Sequence, residues 1–313
     1  MTKVVVCGAG GYVGRKLIER LVTEGESEVH AVSRRPANIP GAQCYSFDLK
    51  QWDEGYFRVF SDADFVYNLA ASVGGIGFVK ASNADCMANA AINLNLLRAC
   101  AATGVRRYFF ASSSCVYPPS EHPLRESDAL PASPTGGYGW EKIFSEQACV
   151  AFAREKQLPV TIARYHGIYG PGDLRPAGRE HVVEALARKF ARAQLCGHDS
   201  IEIWGDGSQT RSLLYIDDCV EGTLRLMRAG VEGPVNLAHP EPVSVNQLAD
   251  QFEDITRIKP IRNYQLSAPV GCKHKISDNS LLRALLGWEP NKNLRDGLDW
   301  TYNSVWIDEC KRR

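Results

Sequence analysis

The sequence predicts an α/β fold, in which a doubly wound parallel sheet carries a smaller, interleaved C-terminal lobe. Three observations lead to this prediction. Apolar strand-like runs alternate with helical patterns over the first half of the chain, a glycine-rich turn follows the first run, and loops rich in glycine and proline begin near residue 169. Strands that alternate with helices build βαβ units, which place their strands parallel in one sheet.

The individual elements follow from hydrophobic periodicity, which differs between strands and helices. Strands are predicted at residues 3–7, 28–32, 43–47, 65–69, 108–111, 160–163 and 234–237, and a strand with a turn at 201–209. Helices are predicted at residues 16–22, 51–60, 83–103, 139–156, 181–193, 215–226, 244–256, 279–286 and 294–307. The order of these elements predicts one domain from residues 1–168 and 213–240, and a second from residues 169–212 and 241–313.

Composition and charge exclude several classes of protein. The 313 residues are 44% hydrophobic, which is enough for an ordinary globular core. The 36 basic residues equal the 36 acidic ones, so neither a nucleic acid nor an anionic membrane is expected as a partner. The chain opens at Met1 directly into a strand-like run, and no apolar run approaches the length of a membrane span. We therefore expect a cytoplasmic protein.

Cysteine usage agrees with that location. The ten cysteines are spread over the chain and contain no CxxC pair. This spacing argues against a zinc site and against a disulfide framework, and it fits a reducing compartment. We expect no metal.

A glycine-rich turn joins the first strand to the first helix. Glycines in this turn let the backbone approach a pyrophosphate, whose charge the helix N-terminus stabilises. The cofactor-binding residues predicted here are Gly8, Gly10, Gly11, Tyr12, Val13 and Gly14. A tight turn without a ligand would use the same glycines, but the alternation of strands and helices favours a Rossmann-type dinucleotide site.

The end of the second strand predicts which dinucleotide binds. An NAD site usually has Asp or Glu there to hold the ribose hydroxyls, whereas this chain has Ser33, Arg34 and Arg35. A guanidinium binds a 2′-phosphate through two parallel hydrogen bonds, so NADP is predicted over NAD, which stays open. The alternative is two solvated surface arginines.

Further cofactor contacts are predicted at the ends of the third and fourth strands. These contacts come from Asp48, Leu49, Leu69, Ala70 and Ala71. For Asp48, just after the third strand, an alternative is that its carboxylate caps the following helix.

Residues 112–142 hold the predicted reaction centre. Tyr138 and Lys142 are four residues apart, so a helix projects both from one face. Ser113 and Cys115 follow a run that is predicted to be a buried strand. The carboxyl end of such a strand is where an open α/β sheet holds its ligand, so a tyrosine base and a thiol are expected to meet there. For Cys115 the alternative is a small buried hydrophobe, the usual role of a free cysteine.

The glycine turn, Ser113, the Tyr138-x-x-x-Lys142 pair and the bend at residues 170–172 together resemble the extended short-chain dehydrogenase/reductase (NAD-dependent epimerase/dehydratase) family. The resemblance covers nearly the whole chain. Members of this family modify nucleotide-diphosphate sugars. The resemblance implies that residues 1–168 and 213–240 bind the dinucleotide, and that residues 169–212 and 241–313 bind the nucleotide sugar. It also implies a homodimer, formed through the helices predicted at 83–103 and 139–156.

Within this family the chain is most similar to the GDP-mannose 3,5-epimerases, and it shares motifs with the GDP-fucose synthases. Stretches 72–78, 112–118, 178–180, 204–212 and 286–290 are epimerase-like. The epimerases have a lysine at the position of His181, whereas the synthases have a histidine and use NADPH. The resemblance implies that Cys115 and His181 move protons, while Ser113, Tyr138 and Lys142 carry the redox step. A surface histidine at a helix start is the alternative for His181.

The resemblance also implies the substrate contacts. Cations away from the chemistry are expected to bind the diphosphate. Lys275 stands where the epimerases have arginine, and a solvated surface charge is the alternative for it and for Lys189. The predicted set is Gly74, Gly75, Ser113, Arg179, Glu180, Lys189, Trp204, Gln209, Arg211 and Lys275.

These residues predict a 3,5-epimerase of GDP-mannose or a related GDP-hexose, which uses NADP and acts through transient oxidation at C4. One alternative is a GDP-4-keto-6-deoxy-hexose 3,5-epimerase/4-reductase that consumes NADPH. Another is a plain 4-epimerase. A third is a cofactor-binding protein without catalysis, against which the intact Ser113, Tyr138 and Lys142 argue.

Overall fold

Thirteen strands and eleven α-helices are seen in the computed structural model, which describes residues 1–25, 27–36, 38–173, 175 and 178–313. The strands are β1 (Thr2–Cys7), β2 (Ser27–Ser33), β3 (Ala42–Ser46), β4 (Phe65–Asn68), β5 (Arg107–Ser113), β6 (Val160–Tyr165), β7 (Gly167–Tyr169), β8 (Ser200–Trp204), β9 (Thr210–Tyr215), β10 (Gly233–Leu237), β11 (Pro242–Ser244), β12 (Ile261–Gln265) and β13 (His274–Lys275). The helices are α1 (Tyr12–Glu24), α2 (Gly55–Phe60), α3 (Ile76–Ala81), α4 (Asn83–Met87), α5 (Asn89–Thr103), α6 (Gly137–Lys156), α7 (Val182–Cys196), α8 (Ile216–Arg228), α9 (Val245–Thr256), α10 (Ser280–Leu286) and α11 (Leu294–Lys311).

Seven strands form one sheet in the order β10-β6-β5-β4-β1-β2-β3, and every neighbouring pair is parallel. The strand order reverses between β1 and β4. At such a switch point the loops after the two strands turn to opposite faces of the sheet, which leaves a crevice for a ligand. The predicted glycine turn follows β1 and therefore borders this crevice.

Helices cover both faces of the sheet. On one face α1 and α8 pack over a core that includes Val6, Leu17 and Leu224. On the other face α2, α5 and α6 pack over a core that includes Leu96 and Phe110. The six residues of β6 are all buried, as expected of a parallel strand with helices on both sides.

The C-terminal part of the chain is built around α7, α9 and α11, which pack against one another. A small sheet joins β11, β9 and β13, with β7 also paired to β9, and β8 pairs with β12. Phe190 of α7 and Phe252 of α9 belong to the same core as Val6 of β1. One continuous core therefore supports both parts of the chain.

The predicted α/β fold with a parallel sheet is confirmed, and the differences are local. The helix predicted at 83–103 is two helices that meet at Ala88, and α3 precedes them. The helix predicted at 51–60 begins only at Gly55, whose N–H is accepted by the Asp53 side chain in a turn (2.7 Å). Strands β7, β9, β11, β12 and β13 were not predicted. β7, β11 and β13 are short and β12 is mostly exposed, whereas β9 lies between the strand and turn predicted at 201–209 and the helix predicted at 215–226.

None of the helices in the described ranges combines the length and the apolar composition that a bilayer crossing requires. All ten cysteines are free thiols. Across the same ranges, no three His, Cys, Asp or Glu side chains are grouped so as to hold a metal ion.

Candidate active site

The glycine turn lies at the switch point, against the end of β4. Gly8 has a φ of +87°, a conformation that L side chains rarely adopt. A Cβ there would lie 2.7 Å from backbone atoms of Leu69 and Ala70, so glycine lets the two strand ends touch. A Cβ on Gly14 would overlap the carbonyl oxygen of Gly8, so this glycine brings α1 close to the turn. A turn of this shape at the start of a helix fits the pyrophosphate of a dinucleotide.

The predicted 2′-phosphate site lies at the end of β2. Ser33 is buried beside the turn, where a Cβ on Gly10 would lie 3.7 Å from the Ser33 Cβ. The Ser33 hydroxyl donates to the carbonyl of Arg35 (2.6 Å), and the Ser46 hydroxyl donates to the carbonyl of Arg34 (3.1 Å). These bonds fix the backbone and leave both guanidinium groups on exposed side chains.

Asp48 and Leu49 follow β3 on the same edge of the sheet. The Asp48 carboxylate accepts the backbone N–H of Lys50 (3.2 Å), and α2 begins only at Gly55, so Asp48 does not cap this helix. Leu49 is buried, and its carbonyl accepts the side-chain amide of Asn95 on α5 (3.1 Å). The turn after β3 is thus fixed to the helices beneath it.

Ser113, Tyr138 and Lys142 meet where α6 begins beside the end of β5. A Cβ on Gly139 would overlap the carbonyl oxygen of Cys115, so this glycine lets the helix backbone touch the turn that follows β5. Tyr138 and Lys142 are both buried, and the Lys142 ammonium lies 5.4 Å from the centre of the Tyr138 ring. The spacing of the two residues on one helical face is as predicted.

A buried ion pair holds α6 against the sheet. Glu146 of α6 accepts hydrogen bonds from the Ser112 hydroxyl (2.5 Å) and from Nε (2.9 Å) and Nη2 (2.6 Å) of Arg164. Ser112 of β5 and Arg164 of β6 are paired next to the ends of their strands, so one carboxylate connects the helix to both strands. This fixes the orientation of the turn that carries Tyr138.

The surroundings of Tyr138 act on its ionisation in opposite directions. Burial raises the pKa of Tyr138 well above its ordinary value of about 10, and negative charge at Cys115 and Glu141 raises it further. A hydrogen bond with Ser113 lowers this pKa. The phenol can therefore act as a proton acceptor only where positive charge offsets its burial.

Cys115 sits in the turn after β5, where its backbone N–H donates to Ser113 Oγ (3.2 Å). Its half-buried thiol packs with Phe78 and Tyr138. Lys275 Nζ lies 3.9 Å from Cys115 Sγ and donates to it. The structure thus places Lys275, predicted at the diphosphate, beside the thiol.

His181 precedes α7 and lies against the loop after β4. The N–H of Gly75 donates to the carbonyl of Arg179 (2.9 Å), and a Cβ on Gly75 would overlap the carbonyl of Glu180. Enclosure by the protein lowers the pKa of His181 to about 3, and the charge of Arg175 contributes to this. At neutral pH the imidazole is therefore uncharged. Its pairing with the thiol stays a prediction.

Glu180 is connected to α11 through Arg188. Its carboxylate accepts the N–H of Gly178 (2.8 Å) and Nε of Arg188 (2.9 Å). Nη1 of Arg188 pairs with Asp308 (3.3 Å) and with Glu309, both near the end of α11. A predicted substrate residue is thus held by the last helix of the chain.

Arg211 anchors the segment that leads to Lys275. Its guanidinium donates to the carbonyls of Thr210 (2.7 Å), Lys273 (3.2 Å) and Val270 (2.9 Å). β13 then pairs with β9 and brings Lys275 opposite Arg211. The structure therefore shows Arg211 supporting the position of Lys275, and its contact with a diphosphate stays a prediction.

The other predicted substrate residues also have partners within the protein. Lys189 donates to the carbonyl of Glu202 (2.7 Å), and the Gln209 amide donates to the carbonyl of Trp204 (2.8 Å). The guanidinium of Arg179 lies 4.0 Å from the centre of an aromatic ring on α3. Their roles toward a substrate stay predictions.

Two buried side chains at this site were missed by the sequence reasoning. Glu141 is fully buried and lies 3.4 Å from the Lys142 ammonium. His166 follows β6, and burial lowers its pKa to about 3, with the charge of Lys275 adding to the effect. Glu141 lies on the same helical face as Tyr138 and Ser145, so the helical period of the sequence could have predicted that Glu141 is buried near Tyr138.

The sequence pattern of the NAD dependent epimerase/dehydratase family matches residues 4–238, which include the glycine turn, Ser113, Tyr138 and Lys142. The chain belongs to this family. The resemblance that the motifs predicted is confirmed, and this epimerase/dehydratase family member is an NAD(P)-dependent enzyme.

Named relatives of this epimerase/dehydratase fall into two groups. GDP-mannose 3,5-epimerase 1 of Oryza sativa subsp. indica is 37% identical over 320 residues, covering 98% of this chain and 82% of the relative. GDP-L-fucose synthase 1 of Arabidopsis thaliana is 29% identical, covering 99% and 95%. A solved UDP-glucuronic acid 4-epimerase variant from Bacillus cereus, with UDP-4-deoxy-4-fluoro-glucuronic acid and NAD, has a TM-score of 0.85 and 25% identity, covering 97% of this chain and 99% of that one.

Proposed function

We propose that the protein is a nucleotide-sugar 3,5-epimerase that acts on GDP-mannose or a related GDP-hexose through a transient ketone at C4. The observation that carries the proposal is the Cys115 thiol beside Ser113 and Tyr138 at one strand end. Inversion at C4 alone would need no thiol there. The relatives that are named GDP-mannose 3,5-epimerase support this choice of reaction.

The ketone explains why redox and proton chemistry share one site. A sugar C–H bond is too weak an acid for a side chain to ionise, whereas a carbonyl at C4 makes the protons on C3 and C5 acidic. The glycine turn after β1 would hold a nicotinamide cofactor, which would supply hydride-transfer chemistry at C4. Tyr138 accepts the proton of the C4 hydroxyl and later gives it back, and Ser113 donates a hydrogen bond to the C4 oxygen.

The proton step at C3 and C5 falls to the thiol. Inverting a carbon requires a base on one face and an acid on the other. The group that we assign to one face is the Cys115 thiol, whose sulfur lies 3.9 Å from the Lys275 ammonium. The partner that we assign on the opposite face is His181. The imidazole takes the proton from one carbon while the thiol gives its proton to the opposite face of that carbon, and the two groups exchange these roles at the other carbon.

The cofactor that we propose is NADP. Support comes from the exposed guanidinium groups of Arg34 and Arg35 next to the buried Ser33, with no acid in that stretch of the sequence. Some solved relatives are complexes with NAD, so the family accepts that form.

Replacement of Arg34 by alanine tests the cofactor proposal. We expect NADP⁺ to bind tens of times more weakly, because a charge-assisted hydrogen bond contributes about 1.5–3 kcal/mol, while NAD⁺ changes little. Dissociation constants from fluorescence titration measure this. Arg283→Ala, another exposed arginine, is the control. Equal losses for both cofactors would contradict a 2′-phosphate site.

A second candidate is an epimerase that also reduces C4 and consumes NADPH. His181, where the resemblance to the synthases implies histidine, and a relative named GDP-L-fucose synthase 1 favour it. Its substrate would be a GDP-4-keto-6-deoxy-hexose. The two candidates differ in whether the cofactor is regenerated in each turnover.

Deuterium exchange separates these candidates. The protein is incubated in D₂O with GDP-mannose and catalytic NADP⁺, and deuterium is located by NMR. Exchange at both C3 and C5 is the expected result. No exchange, together with stoichiometric NADPH loss on a 4-keto-6-deoxy sugar, would show the reductase instead. Cys115→Ala should abolish exchange and keep cofactor binding, and full exchange in this variant would make the thiol mere packing.

We also propose the two-domain division predicted above, residues 1–168 with 213–240 and residues 169–212 with 241–313, and a homodimer. Trp140 and Phe144, one turn apart on α6, are 47% and 49% exposed, and Met87 of the adjoining α4 is 45% exposed. Apolar side chains of this size on neighbouring helices support a helix-to-helix contact between two copies.

We propose a cytoplasmic location as well. The ten free thiols support it, because cytosolic proteins rarely form disulfides.

A further inference from the structure

Glu141 is a buried acid beside the redox pair, and the mechanism above gives it no task. Its side chain is 0% exposed. One carboxylate oxygen accepts the hydroxyl of Ser145 (2.7 Å). The other oxygen, Oε2, has no hydrogen-bond partner among the described residues and lies 3.4 Å from Lys142 Nζ.

A buried carboxylate is costly unless a cation compensates it, and Lys142 supplies that compensation. Lys142 is 2% exposed, and its ammonium lies 4.7 Å from the centre of the Phe110 ring and 5.4 Å from that of Tyr138. The carboxylate, the ammonium and the phenol therefore share one compartment with little water. In such surroundings a charge acts strongly on its neighbours.

We propose that Glu141 is a positioning residue that acts through Lys142: its carboxylate holds the ammonium and offsets part of the positive charge that would otherwise act on Tyr138. The inference rests on the proposed function, in which Tyr138 moves the C4 proton. A lysine with no acid beside it would favour the phenolate more strongly. An epimerase must return the proton in every turnover, and a less acidic tyrosine holds that proton until C4 is reduced again.

Other groups face Tyr138 from the elements packed around it. These are Ser113 from β5, Cys115 from the turn after β5 and Cys86 from α4, while Glu141 and Lys142 lie on its own helix. The groups on the other elements are unchanged when Glu141 or Lys142 is replaced. Differences in the ionisation of Tyr138 between such variants therefore measure the effects of Glu141 and Lys142.

The test is the ionisation of Tyr138 itself. Protein labelled with ¹³C at tyrosine Cζ is titrated by NMR at saturating NADP⁺ or NAD⁺, and Tyr138→Phe assigns the signal. We expect Tyr138 in the Glu141→Gln variant to ionise at a pH about one unit or more below its midpoint in the wild type, because loss of a nearby negative charge favours the phenolate. Glu141→Asp and Ser145→Ala keep the carboxylate at position 141, so Tyr138 in these variants should ionise near its wild-type midpoint.

A second pair of variants keeps the test decisive if Glu141→Gln does not fold. In Lys142→Met the ionisation midpoint of Tyr138 should lie above the wild-type midpoint. In the double variant Glu141→Gln/Lys142→Met, which has neither charge, the midpoint should lie close to that of the wild type. Equal midpoints in the wild type and Glu141→Gln, or in Lys142→Met and the double variant, would overturn the proposal. The titration contains no sugar, so its outcome does not depend on the substrate. An error in the proposed substrate would be detected by the deuterium exchange experiment instead.

Discussion

At the scale of single residues, Lys275 has the largest consequence for the chemistry. Its ammonium donates to the Cys115 sulfur at 3.9 Å, and Arg211 fixes the segment before it. This contact holds the ammonium next to the thiol that is proposed to move protons at C3 and C5. Lys275 is therefore expected to serve the proton step more than the binding of phosphate.

Replacement of Lys275 by methionine tests this role. We expect deuterium exchange at C3 and C5 to slow by about 10²-fold, the lower end of what a positioned acid or base contributes. Lys275→Arg keeps the charge and should retain most of the exchange. A rise in KM with an unchanged maximal exchange rate would instead indicate a cation that only binds the diphosphate.

The sequence predicted that Tyr138 and Lys142 lie together because their spacing is local, and it did not predict the contact of Lys275 with Cys115 because that contact is not local. Tyr138 and Lys142 share a helical face whatever the rest of the chain does. Lys275 reaches the thiol only because the two-residue strand β13 pairs with β9, more than sixty residues earlier in the chain. A two-residue strand leaves no periodicity in a sequence.

At the scale of elements, the contact between the loop after β4 and the start of α7 connects the loop that precedes α3 to the segment that carries His181. Gly75 allows this contact, because any side chain would overlap the carbonyl of Glu180. Its backbone φ is −63°, which every residue adopts, so glycine is required here for space alone. The element α3, which begins next to this loop, then brings Phe78 to the thiol.

Gly75→Ala should separate α3 from the segment that carries His181. We expect a loss of about 1–3 kcal/mol in the free energy of unfolding, typical of overpacking, and a fall in exchange activity. Gly77→Ala is the matched control, because a Cβ there would meet its nearest atom at 3.6 Å, an ordinary contact. Urea denaturation and deuterium exchange measure both effects. Equal behaviour of the two variants would mean that the loop shifts freely.

The parallel sheet was predictable at this scale, whereas most strands of the small lobe were not. β1 has a buried apolar run at residues 4–7, and all six residues of β6 are buried, as expected of strands covered on both faces. β12 has four exposed residues among its five, so its sequence does not differ from that of a loop. Its pairing with β8 depends on where α7 and α9 place the two segments.

At the scale of the whole molecule, a buried neutral histidine makes stability depend on pH. The folded pKa of His166 is about 3, against an ordinary value of 6.5. Below pH 6.5 the unfolded chain therefore binds a proton that the folded protein does not. The free energy of unfolding falls as the pH drops from 6.5 toward 3, by up to about 1.4 kcal/mol per pH unit from this residue.

Urea unfolding at pH 7 and pH 5 measures the effect. His166→Gln should reduce the stability difference between the two pH values by about 2 kcal/mol relative to the wild type, since it removes the titrating group. His122→Gln, at an exposed position, should keep the wild-type difference. An unchanged pH dependence in His166→Gln would show that this imidazole is protonated in the folded protein.

The ion pairs of Arg188 connect the last helix to the segment that carries His181, more than a hundred residues earlier in the sequence. Arg188 is shared between Glu180, next to His181, and the acids at the end of α11. A shortened chain that stops at Trp306 would leave this arginine with one acid instead of three.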